Sequence, residues 1–94
     1  MDPTQRQIAR LLGYPATAAL TNSDLQSGAL ANPDRVSHGL VEEAFASDDV
    51  SSAADARAFV EERIAEWEAV LDGALRNRLA SLASVEIQRR APSP

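Results

Sequence analysis

Apolar residues recur through the second half of the chain at intervals of three and four, the spacing that places side chains on one face of an α-helix. The series advances in steps of 4, 3, 4, 4, 4 and 3 residues, which predicts one long helix from about residue 53 to residue 83. Gly73 lies inside the series and predicts a kink or a break, because glycine costs about 1 kcal/mol relative to alanine within a helix. The apolar residues of the series are Val60, Ile64, Trp67, Leu71, Leu75, Leu79 and Leu82.

Three shorter helices are predicted ahead of the long one from their start and stop signals. A capping acid, a proline and a glutamine at residues 2–5 predict a helix over 3–12. Overlapping capping boxes predict a second, short helix that starts near residues 22–24 and ends before Pro33. The cap-then-proline pattern recurs there, so a third helix is predicted over 33–46.

The apolar pattern changes after Ser84. Val85 and Ile87 alternate with polar residues, and Ile87 falls on the wrong side of the preceding helix, which predicts an extended segment over 84–94. A lone strand finds no internal partner in a helical chain, so this tail is expected to bind another chain. The predicted fold is therefore all-α. One domain over 1–83 packs three short helices on a long C-terminal helix, and an extended tail follows.

Composition limits the core and removes several chemistries. Hydrophobic residues make up 45% of the 94 residues, but 18 of them are alanine, so the core is expected to be modest. The chain has no cysteine, which excludes disulfides, thiolate metal sites and cysteine nucleophiles. No apolar run is long enough to span a bilayer, and the first residues lack the pattern of a secretory signal. We expect a soluble protein of the cytoplasm or of a virus particle, neither secreted nor in a membrane.

Charge is distributed unevenly along a chain whose net charge is −5. Residues 42–72 contain ten acids and two arginines, whereas residues 73–94 contain one acid and four arginines. An acidic middle argues against general nucleic-acid binding, because phosphate contacts need a basic surface. A second interpretation is that the acidic stretch mimics nucleic acid in an inhibitor, although such a stretch is more often a solvated helix face.

Residues 5–14 resemble the first half of a helix-turn-helix DNA-binding motif. An apolar residue and the small Ala9 are followed, four positions after the alanine, by Gly13 at the turn. The resemblance implies a small regulator that contacts DNA through Arg6 and Arg10 and dimerises through its long helix. The eight residues after this segment contain no lysine or arginine to reach base edges or phosphates, so nucleic acid is the less favoured partner.

Few residues in the sequence are candidates for catalysis or metal binding. His38 and Glu42 lie four apart on one helical face, where Glu43, Asp48 or Asp49 is able to complete a metal site. A solvated helix face accounts for the same residues, and a second histidine or cysteine ligand is missing. No serine lies in a nucleophile elbow, and no glycine-rich phosphate loop occurs. We therefore expect a non-enzymatic protein without catalytic residues, cofactor or metal.

The long apolar series is expected to meet a partner as well as its own core. A helix of about 30 residues spans about 45 Å, longer than a body of this size is wide, so part of the helix should project. Trp67 at its centre is the expected anchor, since large aromatic residues concentrate interface energy. These features predict a protein-protein interaction or assembly module, either a homo-oligomer or a structural component of a larger complex such as a virus-particle connector. The predicted partner-binding residues are Val60, Ile64, Trp67, Leu71, Leu75, Leu82, Val85 and Ile87.

Overall fold

Five α-helices form the fold, which is given by a computed structural model that describes residues 2–91. No strand occurs in that range, so the prediction of an all-α fold is confirmed. Met1 and residues 92–94, the end of the predicted tail, lie outside the described residues. No helix in the described range combines the length and the apolar character needed to cross a membrane. The helices are α1 (Pro3–Leu11), α2 (Asn22–Ala31), α3 (Pro33–Ala46), α4 (Ala53–Ala65) and α5 (Gly73–Arg90).

The first three helices begin at the predicted caps. At α1, Asp2 Oδ1 accepts from the Gln5 backbone N–H at 2.8 Å, and Gln5 Oε1 accepts from the Asp2 backbone N–H at 3.0 Å. Thr21 and Asp24 form the same reciprocal pair at the start of α2. Pro33 occupies the first position of α3, where its missing N–H costs no helical hydrogen bond. The predictions of these three helices are confirmed.

The prediction of a single long helix is wrong, because the chain turns between Ala65 and Gly73. Asp72 caps the new helix α5, and its Oδ1 accepts from the Leu75 backbone N–H at 2.8 Å. Gln26 of α2 holds the same residue by accepting from the Asp72 backbone N–H at 3.1 Å and donating to its carboxylate at 2.6 Å. A capping aspartate followed by a glycine favours a new start over continuation. Of the two outcomes predicted at this glycine, the structure has the break.

Residues 84–90 are helical as part of α5, so the predicted extended tail is wrong over this range. The predicted series passed from Leu79 to Leu82, which left Ile87 on the wrong side of the helix. Ala83 continues the series instead, and Ile87 follows four residues later in register. The predicted domain boundary at residue 83 therefore falls inside α5. The buried residues of this helix are Leu75, Leu79, Ala83 and Ile87.

Six of the seven residues of the apolar series lie in the core, and the seventh, Leu82, is half-buried. Trp67, in the turn between α4 and α5, is fully buried, and its indole N–H donates to Gln7 Oε1 on α1 at 3.1 Å. Breaking the helix lets α5 pack beside α4 and α3, so the fold covers side chains that a straight rod would leave exposed. The expectation of a projecting apolar ridge is wrong. Val60, Ile64, Trp67, Leu71 and Leu75 are each at most 5% exposed.

Two glycines allow α1 to pack closely on α3. A Cβ at Gly39 would lie 2.5 Å from Leu11 Cδ2, inside van der Waals contact. Gly13 follows α1 with a φ of 86°, a left-handed conformation that glycine adopts without strain. The Arg35 guanidinium occupies the space that a side chain at Gly13 would need. A larger residue at Gly39 would require the Leu11 side chain to shift, and one at Gly13 would be strained by the left-handed φ.

Candidate functional site

His38, the single histidine of the chain, lies on α3 between two carboxylates. Its Nδ1 is 3.1 Å from Oε1 and 3.0 Å from Oε2 of Glu86, which lies on α5. Its Nε2 is 3.4 Å from Oε1 of Glu42, one turn further along α3. The two ring nitrogens of His38 therefore face carboxylates on two different helices.

Arg90 completes this group, which we call the α3–α5 cluster: His38, Glu42, Glu86 and Arg90. The Arg90 guanidinium pairs with Glu42, and its Nε is 3.5 Å from Glu86 Oε2. The same guanidinium lies over the ring of Phe45, with Cζ 5.6 Å from the ring centroid. Arg90 is therefore a cation held between two carboxylates, with an aromatic ring as its third neighbour.

The register of two parallel helices assembles the cluster. His38 meets Glu86, and Glu42 meets Arg90 one turn further along both helices, so α3 and α5 run in the same direction. Side chains four residues apart share a helix face, and two such pairs in register bring four polar groups together. The sequence predicted only the two cluster residues on α3, His38 and Glu42, because Glu86 and Arg90 fell in the predicted tail. Their own spacing of four is the signal that α5 continues.

The acidic residues predicted to complete a site with His38 and Glu42 lie elsewhere. Glu43 is directed toward α1, where its Oε1 is 3.2 Å from Arg10 Nη2. Asp48 and Asp49 lie in the turn that follows α3. Within residues 2–91, the one group whose potential ligand atoms lie together is His38, Glu42 and Glu86, with all three atoms within 4.8 Å of one another. The structure therefore puts Glu86 in the place of the three predicted acids.

Two of the eight predicted partner-binding residues reach the surface. Val85 is 49% exposed, and Leu82 is half-buried. A partner reaches the other six only if the core opens, because they pack against one another inside the fold. Those six buried residues are Val60, Ile64, Trp67, Leu71, Leu75 and Ile87.

Val85 and Leu82 belong to a basic face of α5. Arg78, Leu82, Val85 and Arg89 follow one another at steps of 4, 3 and 4, which keeps them on one side of the helix, and all but Leu82 are exposed. We call these four residues the outer face of α5. Arginine is enriched in protein interfaces relative to the rest of the surface, and Leu82 and Val85 add apolar area to this face.

A polar groove of about 820 Å³ lies between α1 and the end of α4. Two of its arginines are paired within the chain, Arg10 with Glu43 at 3.2 Å and Arg63 with Glu66 at 3.3 Å. Arg6 lines the groove as well. Because most of these charges are matched inside the fold, the groove presents little net charge to a ligand.

The resemblance to a helix-turn-helix motif is not realised in the fold. The motif joins its two helices by a turn of three or four residues. Here α1 ends at Leu11 and α2 begins at Asn22. No lysine or arginine lies on α2, which would have to serve as the recognition helix. The resemblance therefore gives DNA binding no support.

Two carboxyl groups have lowered pKa values, and both lie at helix starts. The Thr21 backbone N–H donates to Asp24 at 2.9 Å and, with the Thr21 hydroxyl, holds the pKa of Asp24 below its usual 3.8. The backbone N–H and the hydroxyl of Ser51 donate to Asp55 at 3.1 Å and 3.0 Å and lower its pKa in the same way. Hydrogen bonds to the ionised carboxylate cause both shifts. These residues stabilise helix ends and lie outside the cluster and the groove.

Comparison with known proteins assigns no role to these surfaces. No family model matches the chain, and neither a curated protein nor a solved structure matches it.

Proposed function

We propose that this chain is a non-enzymatic interaction module that joins a larger assembly by binding an acidic protein through the outer face of α5. The observation that carries the proposal is Val85, which is 49% exposed. Valine is a poorer helix former than alanine, and about half of this side chain remains in water, so it stabilises the fold only modestly. Contact with a partner would bury the exposed part of that side chain.

The charge around Val85 defines the chemistry of the partner. Residues 73–94 contain four arginines and one acid, and two of those arginines, Arg78 and Arg89, flank Val85 on the outer face of α5. A complementary surface has an apolar centre and carboxylates at its rim. Opposite charges at a rim steer the encounter and fix the orientation more than they add affinity. An acidic protein therefore fits this face better than a neutral or basic one.

A second copy of the chain is the competing occupant, because residues 42–72 are themselves acidic. Contact between the outer face of α5 and the acidic helix α4 of another copy would be heterologous. Contacts of that kind form open chains of molecules unless the rotation closes a ring. We therefore propose a different acidic protein, and the experiment below distinguishes it from self-association.

The expected contribution of Val85 is modest but measurable. Fully burying a valine side chain contributes about 1.5–3 kcal/mol, and roughly half of Val85 remains to be buried. A Val85→Asp variant loses that burial and sets a carboxylate against an acidic surface. We expect its affinity for the partner to fall at least about tenfold, which corresponds to 1.4 kcal/mol.

In the experiment, the full chain is expressed in its native host with a photo-crosslinking amino acid at position 85. A matched control carries it at Ala58, an exposed position on α4. We expect an adduct with one acidic protein from position 85 only. That protein, once purified, should bind the wild type at least about tenfold more tightly than it binds Val85→Asp. Circular dichroism of the variant checks that its helices are retained.

Three results would change the interpretation. Identical adducts from positions 85 and 58, or equal binding of the purified partner by wild type and Val85→Asp, would overturn the proposal. Sedimentation of the wild-type chain alone measures self-association. If the chain forms oligomers that Val85→Asp dissolves, the occupant of the outer face is a second copy and the acidic partner is rejected.

A further inference from the structure

We propose that His38, Glu42 and Glu86 bind a divalent transition-metal ion such as Zn²⁺, which takes the place of the Arg90 guanidinium between the two carboxylates. Imidazole nitrogen is a preferred ligand of zinc, and carboxylate oxygen binds the same ion at about 2.0–2.2 Å. Three protein ligands leave a coordination position for water, as in zinc sites that are open to solvent. This inference is independent of the proposed interaction function and reverses the expectation from sequence that no metal site exists.

The distances within the cluster suit one small cation. One potential ligand atom from each of the three residues lies within 4.8 Å of the other two. Ligands of a tetrahedral zinc ion are separated by about 3.4 Å, as follows from metal-ligand distances near 2.1 Å. Closing the difference takes a rotation of glutamate side chains, whose outer bonds turn freely because Glu42 is exposed and Glu86 is half-buried.

The scaffold fixes the ligands in register. His38 and Glu42 share one face of α3 at a spacing of four, and Glu86 is presented by α5, which packs directly on α3. An ion held by all three therefore joins two helices that already contact each other. Preorganised helices reduce the conformational cost of binding, which favours a measurable affinity.

Arg90 shows that two of the three proposed ligands already share a cation in the fold. Its guanidinium pairs with both Glu42 and Glu86, so the two carboxylates already share one positive charge. The same guanidinium also contacts the Phe45 ring, with Cζ 5.6 Å from the ring centroid. Arg90 thus acts as an internal competitor of the metal ion. Removing it should tighten metal binding, which is the opposite of what removing a structural ion pair would do.

The experiment titrates Zn²⁺ into the untagged chain by isothermal calorimetry. We expect one ion per chain for the wild type and no detectable binding by His38→Gln, because this is the only histidine and the chain has no cysteine. Glu86→Gln should bind at least about tenfold more weakly. Arg90→Gln should bind about fivefold more tightly, because two exposed ion pairs no longer compete. Glu62→Gln, which changes an exposed acid on α4, is the matched control and should bind like the wild type.

Melting curves of each variant without zinc separate metal binding from folding. The imidazole proton resonances of the wild type need no assignment, since one histidine produces them, and zinc should shift them. Absence of wild-type binding up to about 1 mM Zn²⁺ would overturn the proposal. So would binding that survives in folded His38→Gln or Glu86→Gln. An Arg90→Gln variant that binds no more tightly than the wild type would overturn the placement of the ion at the guanidinium position.

Discussion

Replacing Ile87 by alanine tests whether the end of the chain is a packed part of the fold. Ile87 is fully buried in α5, and the substitution removes three carbon atoms from the core. At about 0.8 kcal/mol per buried carbon, the free energy of unfolding should fall by about 2.4 kcal/mol. The cavity left behind increases this loss, within the range of roughly 2–5 kcal/mol seen for such substitutions. If residues 84–91 were an extended tail, the same substitution would leave the free energy of unfolding unchanged.

Val85→Ala is the matched control, two residues away on the same helix. Its side chain is 49% exposed, so truncation loses about 0.8 kcal/mol of partial burial, and the higher helix propensity of alanine returns about half of that. Urea denaturation followed by circular dichroism measures both values. In a domain of this size, the Ile87→Ala variant should also melt roughly 10–20 °C lower, at about 4–8 °C per kcal/mol. Similar free energies of unfolding for the two variants would refute the packing of α5.

Two further predictions concern helix starts. Asp72→Ala removes the cap of α5 and the carboxylate that accepts from the Gln26 side chain, and it should lower the free energy of unfolding by about 1 kcal/mol in urea melts. Gln26→Ala added to that variant should then cost less stability than it does in the wild type, because only the bond from the backbone N–H of residue 72 is left to lose. The pKa of Asp55 is lowered in the fold, so its contribution is complete above the usual 3.8 and is lost as pH falls through the folded-state value. Asp55→Asn should flatten the decline of Tm between about pH 5 and pH 2, and an unchanged decline would contradict this cause.

The first three helices could be predicted because each has its start signal in its own sequence. The cap at Asp2, the capping box at Thr21 and the proline at position 33 act within one turn of the backbone, and all three appear in the structure at the expected residues. The break at Gly73 depends on more distant contacts. Gln26 holds Asp72 from 46 residues away in the chain, and a sequence pattern does not show that bond.

The course of α5 was mispredicted because a small residue was left out of the apolar series. When only large side chains are counted, the series continues from Leu79 to Leu82. Ile87 then no longer lies on the apolar face of the helix. Ala83 has no exposed surface in the fold and keeps the series in register. Five of the 18 alanines are buried in the core, so a small residue is able to continue an apolar series as well as a large one. The same omission hid Glu86 and Arg90, and with them half of the α3–α5 cluster.

The packing of α5 on two neighbours determines where each proposed surface lies. Its buried side faces α3 and α4, so Glu86 at the edge toward α3 meets His38, whereas Val85 faces outward. Consecutive residues lie about 100° apart around a helix, so the side chains of Glu86 and Val85 point to different sides of α5. The two surfaces should therefore be separable. Val85→Asp should leave zinc affinity unchanged, and His38→Gln should leave partner binding unchanged, whereas a loss of both activities in either variant would indicate that α5 itself had come apart.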